Sequence, residues 1–156
     1  MTKEMNIFVA HCGEHEDLIN DFKRKMESKG YTFKDSSLTS EDSNHAHDEN
    51  YIKNDIIRPK MEWAGTVVVL VGKETAKSDW VNWEIEQAEK MGKKIIGVWV
   101  KDSMNYAIPE ALRRLGDSLV PWNTDDIDNA LKGNPIWKNA DGSALSGNYS
   151  ISHVEC

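Results

Sequence analysis

"TVVVLVGKETAKSDWVNWEIEQAEKMGKKIIGVWV", Thr66 to Val100, decides the fold. Its two ends, Thr66–Val71 and Lys94–Val100, are continuous β-branched runs rather than alternating ones. That is the pattern of strands covered on both faces, as in a parallel sheet. Between them, Asp79–Met91 repeats apolar residues at helical spacing, with Ser78 placed to cap its start and Gly92 to close it. Strand, helix, strand at this spacing implies a right-handed βαβ crossover.

The same alternation extends outward. Ile7–Ala10, Tyr31–Phe33 and Leu119–Trp122 read as further strands. Asp17–Lys29 places Ile19, Phe22 and Met26 on one helical face and ends at Gly30. Glu49–Arg58 carries Ile52 and Ile56 and then meets Pro59, which should end or kink it, with a last turn through Trp63 before Gly65. Short helices are expected at Pro109–Leu115 and Thr124–Lys132. The succession predicts an α/β domain of three layers, doubly wound around a parallel five-stranded sheet in the order 2-1-3-4-5. Residues 1–133 form this domain, and 134–156 read as an irregular tail packed on it or trailing it. Asp35–Asn50, "DSSLTSEDSNHAHDEN", is the one long polar stretch inside the domain, and loops of that length are usually functional or mobile.

The 156 residues carry a formal net charge of −7, and no run of Lys or Arg offsets it locally. Nucleic acid and an anionic membrane surface are therefore poor partners. Val67–Val71 is far too short to span a bilayer, and the N-terminal apolar residues are flanked by acids, unlike a signal peptide. Cys12 and Cys156 sit near opposite ends with neither metal nor disulfide spacing, so the expected setting is reducing and cytoplasmic.

Ligands of an open α/β sheet bind beyond the carboxyl ends of its strands. Here those ends read His11-Cys12-Gly13, Asp35-Ser36-Ser37 and Gly72 to Thr75. On the helix that follows, Val81, Ile85 and Ala88 form the buried stripe, and Glu84 lies about 60° to one side of Val81 with Trp80 a turn earlier on that shoulder. Trp83 projects about 100° from Glu84 and reads as packing or interface, while Glu86 and Lys90 face outward at pairing distance. From pattern alone Glu84 is either a boundary acid at a domain edge or a carboxylate at the rim of a cleft. His11 likewise reads either as a satisfied strand-end histidine or as a ligand-facing one.

Other α/β chemistries lack their motifs. No G-x-G-x-x-G follows the first strand, no P-loop is present, and the third strand ends Val71-Gly72-Lys73 without a phospho-acceptor Asp. "HCGEHED" is too acidic to cradle a flavin phosphate comfortably. His45-x-His47-Asp48 has no partnering cluster at ligand spacing and favours a solvated loop, so no metal is assigned. Cys12 as a nucleophile, with His11 or His15 as base, has no more support.

"NIFVAHCGEHED", "GYTFKDSS", "TVVVLVGKETAKSDWVNWEIEQA" and "KKIIGVWV" together resemble the TIR-like domains of Thoeris-type antiphage defence, on the ThsB side of that system. The likeness runs from Asn6 to about Trp122, and its most specific part is Gly72, Thr75, Ser78, Trp80, Val81, Glu84 and Ile85. The resemblance implies a flavodoxin-like fold and cleavage of the nicotinamide–ribose bond of NAD. It implies Glu84 as the catalytic residue, with His11, Cys12, Asp35, Ser36, Thr75 and Trp80 binding the substrate. NAD is then substrate rather than cofactor. The product would be a cyclic or conjugated ADP-ribose signal that activates an effector.

With no second domain legible, the effector is expected to be a separate protein, and the chain a homo-oligomer. The acid-rich loops should repel a pyrophosphate unless Lys73, Lys77 or backbone N–H groups offset them. Weak resting affinity is therefore expected, with oligomerisation or a trigger completing the site and the loop after Asp35 moving. Two rival readings stay open: a catalytically silent TIR-like interaction module, and an N-glycosidic transferase acting on nucleosides.

Overall fold

The computed structural model describes residues 3–10, 16–35, 58–73, 75–101, 106–143 and 145. Its strands are β1 (Lys3–Ala10), β2 (Tyr31–Asp35), β3 (Thr66–Val71), β4 (Lys94–Trp99) and β5 (Ser118–Val120). The helices are α1 (Glu16–Glu27), α2 (Arg58–Trp63), α3 (Asp79–Lys90), α4 (Glu110–Leu115) and α5 (Thr124–Leu131). All strand pairs are parallel, in the order β2-β1-β3-β4-β5. The chain moves one way from β1 to β2 and the other way from β3 onward, so the topological switch point lies between β1 and β3.

The β-branched runs fill both faces of this sheet. Every residue of β3 is buried. Its alternate side chains divide between two cores: Val68 and Leu70 join the core under α1 and α5, while Val67, Val69 and Val71 join the core under α2, α3 and α4. Helices on both faces of a parallel sheet make the three-layer α/β fold.

Boundaries differ from the sequence reading where polar residues or proline intervene. β1 starts at Lys3, because Lys3–Ile7 pairs with Tyr31–Asp35 of β2 before Ile7–Ala10 pairs with Thr66–Val69 of β3. β5 stops at Val120 because Pro121 has no N–H to continue the ladder. Pro59 is the second residue of α2 as described. The expected last turn through Trp63 is present; residues 49–57 of the expected Glu49–Arg58 helix lie outside the described residues.

Residues 134–143, read from sequence as part of an irregular tail, line the outer edge of β5. Leu119 donates its N–H to Ile136 O and accepts from Lys138 N, both at 2.8 Å. Ser118 Oγ accepts the Ile136 N–H at 3.1 Å, and Trp99 Nε1 donates to Lys138 O at 2.9 Å. Residues 146–156 lie outside the described residues.

On the α1–α5 face, the buried Tyr31 hydroxyl donates to Asp128 Oδ1 at 2.7 Å, and Lys132 Nζ meets Asp128 Oδ2 at 3.0 Å. Burial, then the Asp128 carboxylate, holds the Tyr31 phenol well above its ordinary pKa. Tyr31→Phe would leave half of the Asp128 carboxylate without its buried donor. We expect a loss of about 1.5–3 kcal/mol in urea unfolding, with β2 loosened from α5.

Candidate active site

The site is built by the β3–α3 unit. After Val71 the chain turns through Gly72 and a 3-10 turn, Thr75–Lys77, into α3. Thr75 has 0% relative exposure. Its Oγ1 accepts the Gly72 N–H at 2.8 Å and lies 3.3 Å from Leu70 O, to which it can donate. Thr75 therefore shapes the turn from inside, through groups already engaged in the fold. Ser78 Oγ caps the helix by accepting the Val81 N–H at 3.2 Å, and Gly92, with φ of 71°, ends it.

Two contacts fix how α3 is rotated. Asn82 Oδ1 accepts the Ala111 N–H of α4 at 3.0 Å, and Glu86 meets Arg114 of α4 at 3.2 Å. That shoulder faces α4. Glu86 thus pairs across helices, not with Lys90 along its own helix as its spacing suggested. The opposite shoulder, carrying Trp80, Trp83, Glu84 and Gln87, faces α2. There the Arg58 guanidinium carbon lies 5.6 Å from the centre of the Trp83 ring. Trp80 and Trp83 meet edge to face, with ring centres 6.5 Å apart.

Glu84 has 6% relative exposure, and among the described residues no hydrogen bond or ion pair offsets that burial. Desolvation pushes its carboxyl well above the ordinary value of 4.5. A carboxylate buried without compensation costs stability, and such groups concentrate at functional sites. Helical geometry places Glu84 about 8 Å below the start of α3, on the side of the switch point. An acid of raised pKa, an aromatic wall and a strand edge at that crevice can stabilise a cation developing on a planar, sugar-bearing molecule.

Of the residues expected in the site, Trp80 and Glu84 lie one turn apart on the same shoulder of α3, while Thr75 is fully buried in the turn before it. Asp35 ends β2 on the far side of β1, and its side chain is not described. His11, Cys12 and Ser36 lie outside the described residues, as do His15, the His45-x-His47-Asp48 motif and the polar loop that follows Asp35. Lys73 and Lys77 stand exposed on the turn after β3. Among the described residues no cluster of three His, Cys, Asp or Glu could hold a metal ion, and no helix is long and apolar enough to cross a membrane.

Sequence reasoning missed Asn82. Its Nδ2 donates to Ser78 O at 3.1 Å and Ala76 O at 3.4 Å while its Oδ1 accepts from Ala111. α4 has Pro109 at its N-cap and no side-chain cap of its own, so Asn82 satisfies an N–H that would otherwise be orphaned. An Asn in the first turn of a helix pattern was the available signal. Asn82→Leu is expected to cost about 1–3 kcal/mol. Asn82→Asp keeps the acceptor but loses both donors, so its thermal midpoint should fall between those of Leu and Asn.

A parallel sheet in the order 2-1-3-4-5 with helices on both faces defines a doubly wound, flavodoxin-like α/β domain. The family model described as Thoeris protein ThsB, TIR-like domain, matches residues 8–105, and the chain belongs to that family. The match spans β3, α3 and β4 and every expected site residue, and it ends before α4. Among solved structures, the crystal structure of the RPS4 and RRS1 TIR domain heterodimer aligns over 98% of this chain and 92% of that chain, at 12% identity and a TM-score of 0.44. No protein with a curated description matches.

Proposed function

We propose that the chain cleaves the nicotinamide–ribose bond of NAD and makes an ADP-ribose-derived signal, cyclic or conjugated, that activates a separate effector in antiphage defence. The single observation that carries this reading is Glu84, 6% exposed and uncompensated among the described residues, on the Trp80 shoulder of α3. The family supports the reaction class, and the burial of Glu84 on the Trp80 shoulder of α3 supports its role.

When the C1′–N bond breaks, its electron pair passes to the cationic pyridinium ring, which leaves as neutral nicotinamide. Positive charge is left on the ribose as an oxocarbenium-like centre. A carboxylate shielded from water stabilises that charge far better than one in bulk solvent. Trp80 provides a flat apolar wall for the departing ring. Thr75, through the turn it holds, sets the height at which α3 begins. His11, Cys12, Asp35 and Ser36 are proposed to hold ribose and phosphate groups from the ends of β1 and β2. A nucleophile within the same molecule, closing a ring, or one on a second molecule, giving a conjugate, then bonds to C1′ and gives up its proton; water in its place would give free ADP-ribose. We place the reaction in the cytoplasm, in a homo-oligomer.

The test is nicotinamide release from NAD by the purified chain, alone and with lysate of phage-infected cells, against Glu84→Gln. Equal release by both proteins would remove Glu84 from the reaction. No release under either condition would leave the silent interaction module as the better reading, and release from other nucleosides would favour N-glycosidic transfer. Mass spectrometry of the product distinguishes a cyclic from a conjugated signal.

A further inference from the structure

We propose that Gln87 is a second substrate-binding residue of the Glu84 site, its carboxamide hydrogen-bonding the 3′-hydroxyl of the ribose that loses nicotinamide; this rests on the NAD reading above. α3 buries five side chains: Val81, Glu84, Ile85, Gln87 and Ala88. The three apolar ones belong to the core that α2, α3 and α4 cover. The two polar ones, Glu84 and Gln87, are each 6% exposed and share the shoulder of Trp80. The Gln87 main chain is engaged in the helix, its O accepting the Met91 N–H at 3.0 Å. Among the described residues its carboxamide has no hydrogen bond.

A buried primary amide takes two donor hydrogens and an acceptor oxygen out of water, and leaving them unmet costs about 1–3 kcal/mol. An apolar residue of the same length would fill the position without that cost. Two such polar side chains a turn apart on one helix, an acid and an amide, suit a polar ligand that supplies the partners the fold does not.

Helix geometry fixes the spacing. Trp80, Glu84 and Gln87 descend one shoulder in steps of four and three residues, about 6 Å and about 4.5 Å along the axis. Residues at these separations are neighbours, with Cβ atoms about 5–6 Å apart. Helical side chains lean toward the helix N-terminus, which for α3 is the end that follows the carboxyl end of β3. The Gln87 amide therefore reaches back toward the level of Glu84. The descent matches the order of groups in the substrate: the ring against Trp80, C1′ at Glu84, and the 2′- and 3′-hydroxyls beyond it. The 2′-hydroxyl, on the carbon next to C1′, falls to the Glu84 carboxylate, and the 3′-hydroxyl, one carbon further, falls to Gln87. A hydroxyl both donates and accepts. A carboxamide answers it in either sense and adds no second charge beside Glu84.

The experiment uses an NAD analogue in which a methylene replaces the ring oxygen of the nicotinamide ribose, so that no oxocarbenium-like centre can form and the bond stays intact. Titration calorimetry measures binding of this analogue and of its 3′-deoxy and 2′-deoxy forms. Gln87→Met keeps the length of the side chain and removes the amide. It is expected to weaken the parent analogue roughly 3- to 10-fold and to leave the 3′-deoxy form unchanged, which abolishes the preference of the unaltered chain for the 3′-hydroxyl. The preference for the 2′-hydroxyl should remain. Gln87→Asn withdraws the amide by one methylene and should lose most of the same preference; it decides the question if Gln87→Met does not fold. A preference for the 3′-hydroxyl that survives the substitution overturns the proposal, as does equal weakening of all three analogues. Absence of that preference in the unaltered chain, or of binding at millimolar concentration, overturns it too. Nicotinamide release from NAD, measured in parallel, tests the reaction separately. Release that depends on Glu84 without any effect of Gln87 would remove Gln87 alone.

Discussion

Glu84→Gln is expected to lower nicotinamide release from NAD by about 10²–10³-fold while making the folded chain more stable at neutral pH. The two effects share one cause. The amide keeps the shape of the side chain but cannot carry the negative charge that faces the ribosyl cation. It also removes the cost of holding an ionised carboxylate where only 6% of the residue reaches water. A variant that merely unfolded would lose activity and stability together, so the opposite signs identify a functional acid.

The pH dependence fixes the sign further. The folded-state pKa of Glu84 is raised above its ordinary value of 4.5, so between those two values the folded chain binds more protons than the unfolded chain. Stability contributed by the neutral acid is fully present below about pH 4.5 and is lost as pH rises through the folded pKa. The gain from Glu84→Gln should therefore be absent at pH 4, grow on the way to neutrality, and reach about 1–3 kcal/mol. For a chain of this size that is a rise of roughly 2–4 °C per kcal/mol in thermal midpoint. In the unaltered chain the acid limb of kcat/KM should lie well above 4.5, because the free enzyme must ionise Glu84 before it can act. A variant that is less stable than the unaltered chain at every pH would contradict the burial argument.

What the sequence made legible was whatever is decided locally. The runs Thr66–Val71 and Lys94–Val100 had to be buried on both faces, and the caps of α3 at Ser78 and Gly92 are chemistry of adjacent residues. Glu84 was legible only as a boundary acid, since a helical wheel says which shoulder it occupies but not what that shoulder faces. That needed Asn82 and Glu86 reaching α4, two contacts between residues far apart in sequence. Glu86 shows the limit clearly: Lys90 was in helical reach, yet Arg114 on a packed neighbour is the partner. Arg58 over Trp83 is the same kind of fact. β1 was read too short because Lys3, Glu4 and Asn6 interrupt the apolar run around Met5, and those residues join the sheet through main-chain pairing with β2. The strap along β5 was missed for the same reason. Main-chain hydrogen bonds leave no periodicity in side chains.

Trp99→Ala should be the most damaging single change outside the site, at about 3–5 kcal/mol, or roughly 10 °C in thermal midpoint. Trp99 closes β4 with 1% relative exposure and packs in the core that α2, α3 and α4 cover. Its loss leaves a cavity at the carboxyl end of β4, in the core that also includes Val81 and Ile85 of the helix that carries Glu84. It also removes a tie, because Trp99 Nε1 donates to Lys138 O at 2.9 Å and so anchors the strap along β5. Trp99→Phe separates the two contributions. It retains most of the ring volume and loses the donor, so its cost should be near 1 kcal/mol for the bond plus a smaller packing term. Limited proteolysis should then cut within residues 134–143 faster in both variants than in the unaltered chain, while only Trp99→Ala lowers the thermal midpoint strongly. The strap also holds through Leu119, Ser118 and the Lys138–Asp126 ion pair at 3.0 Å, so Phe should loosen it without releasing it. Equal proteolysis of Trp99→Phe and the unaltered chain would mean that the contacts through Leu119, Ser118 and Asp126 secure the strap without the indole N–H, which then serves only to satisfy its own burial.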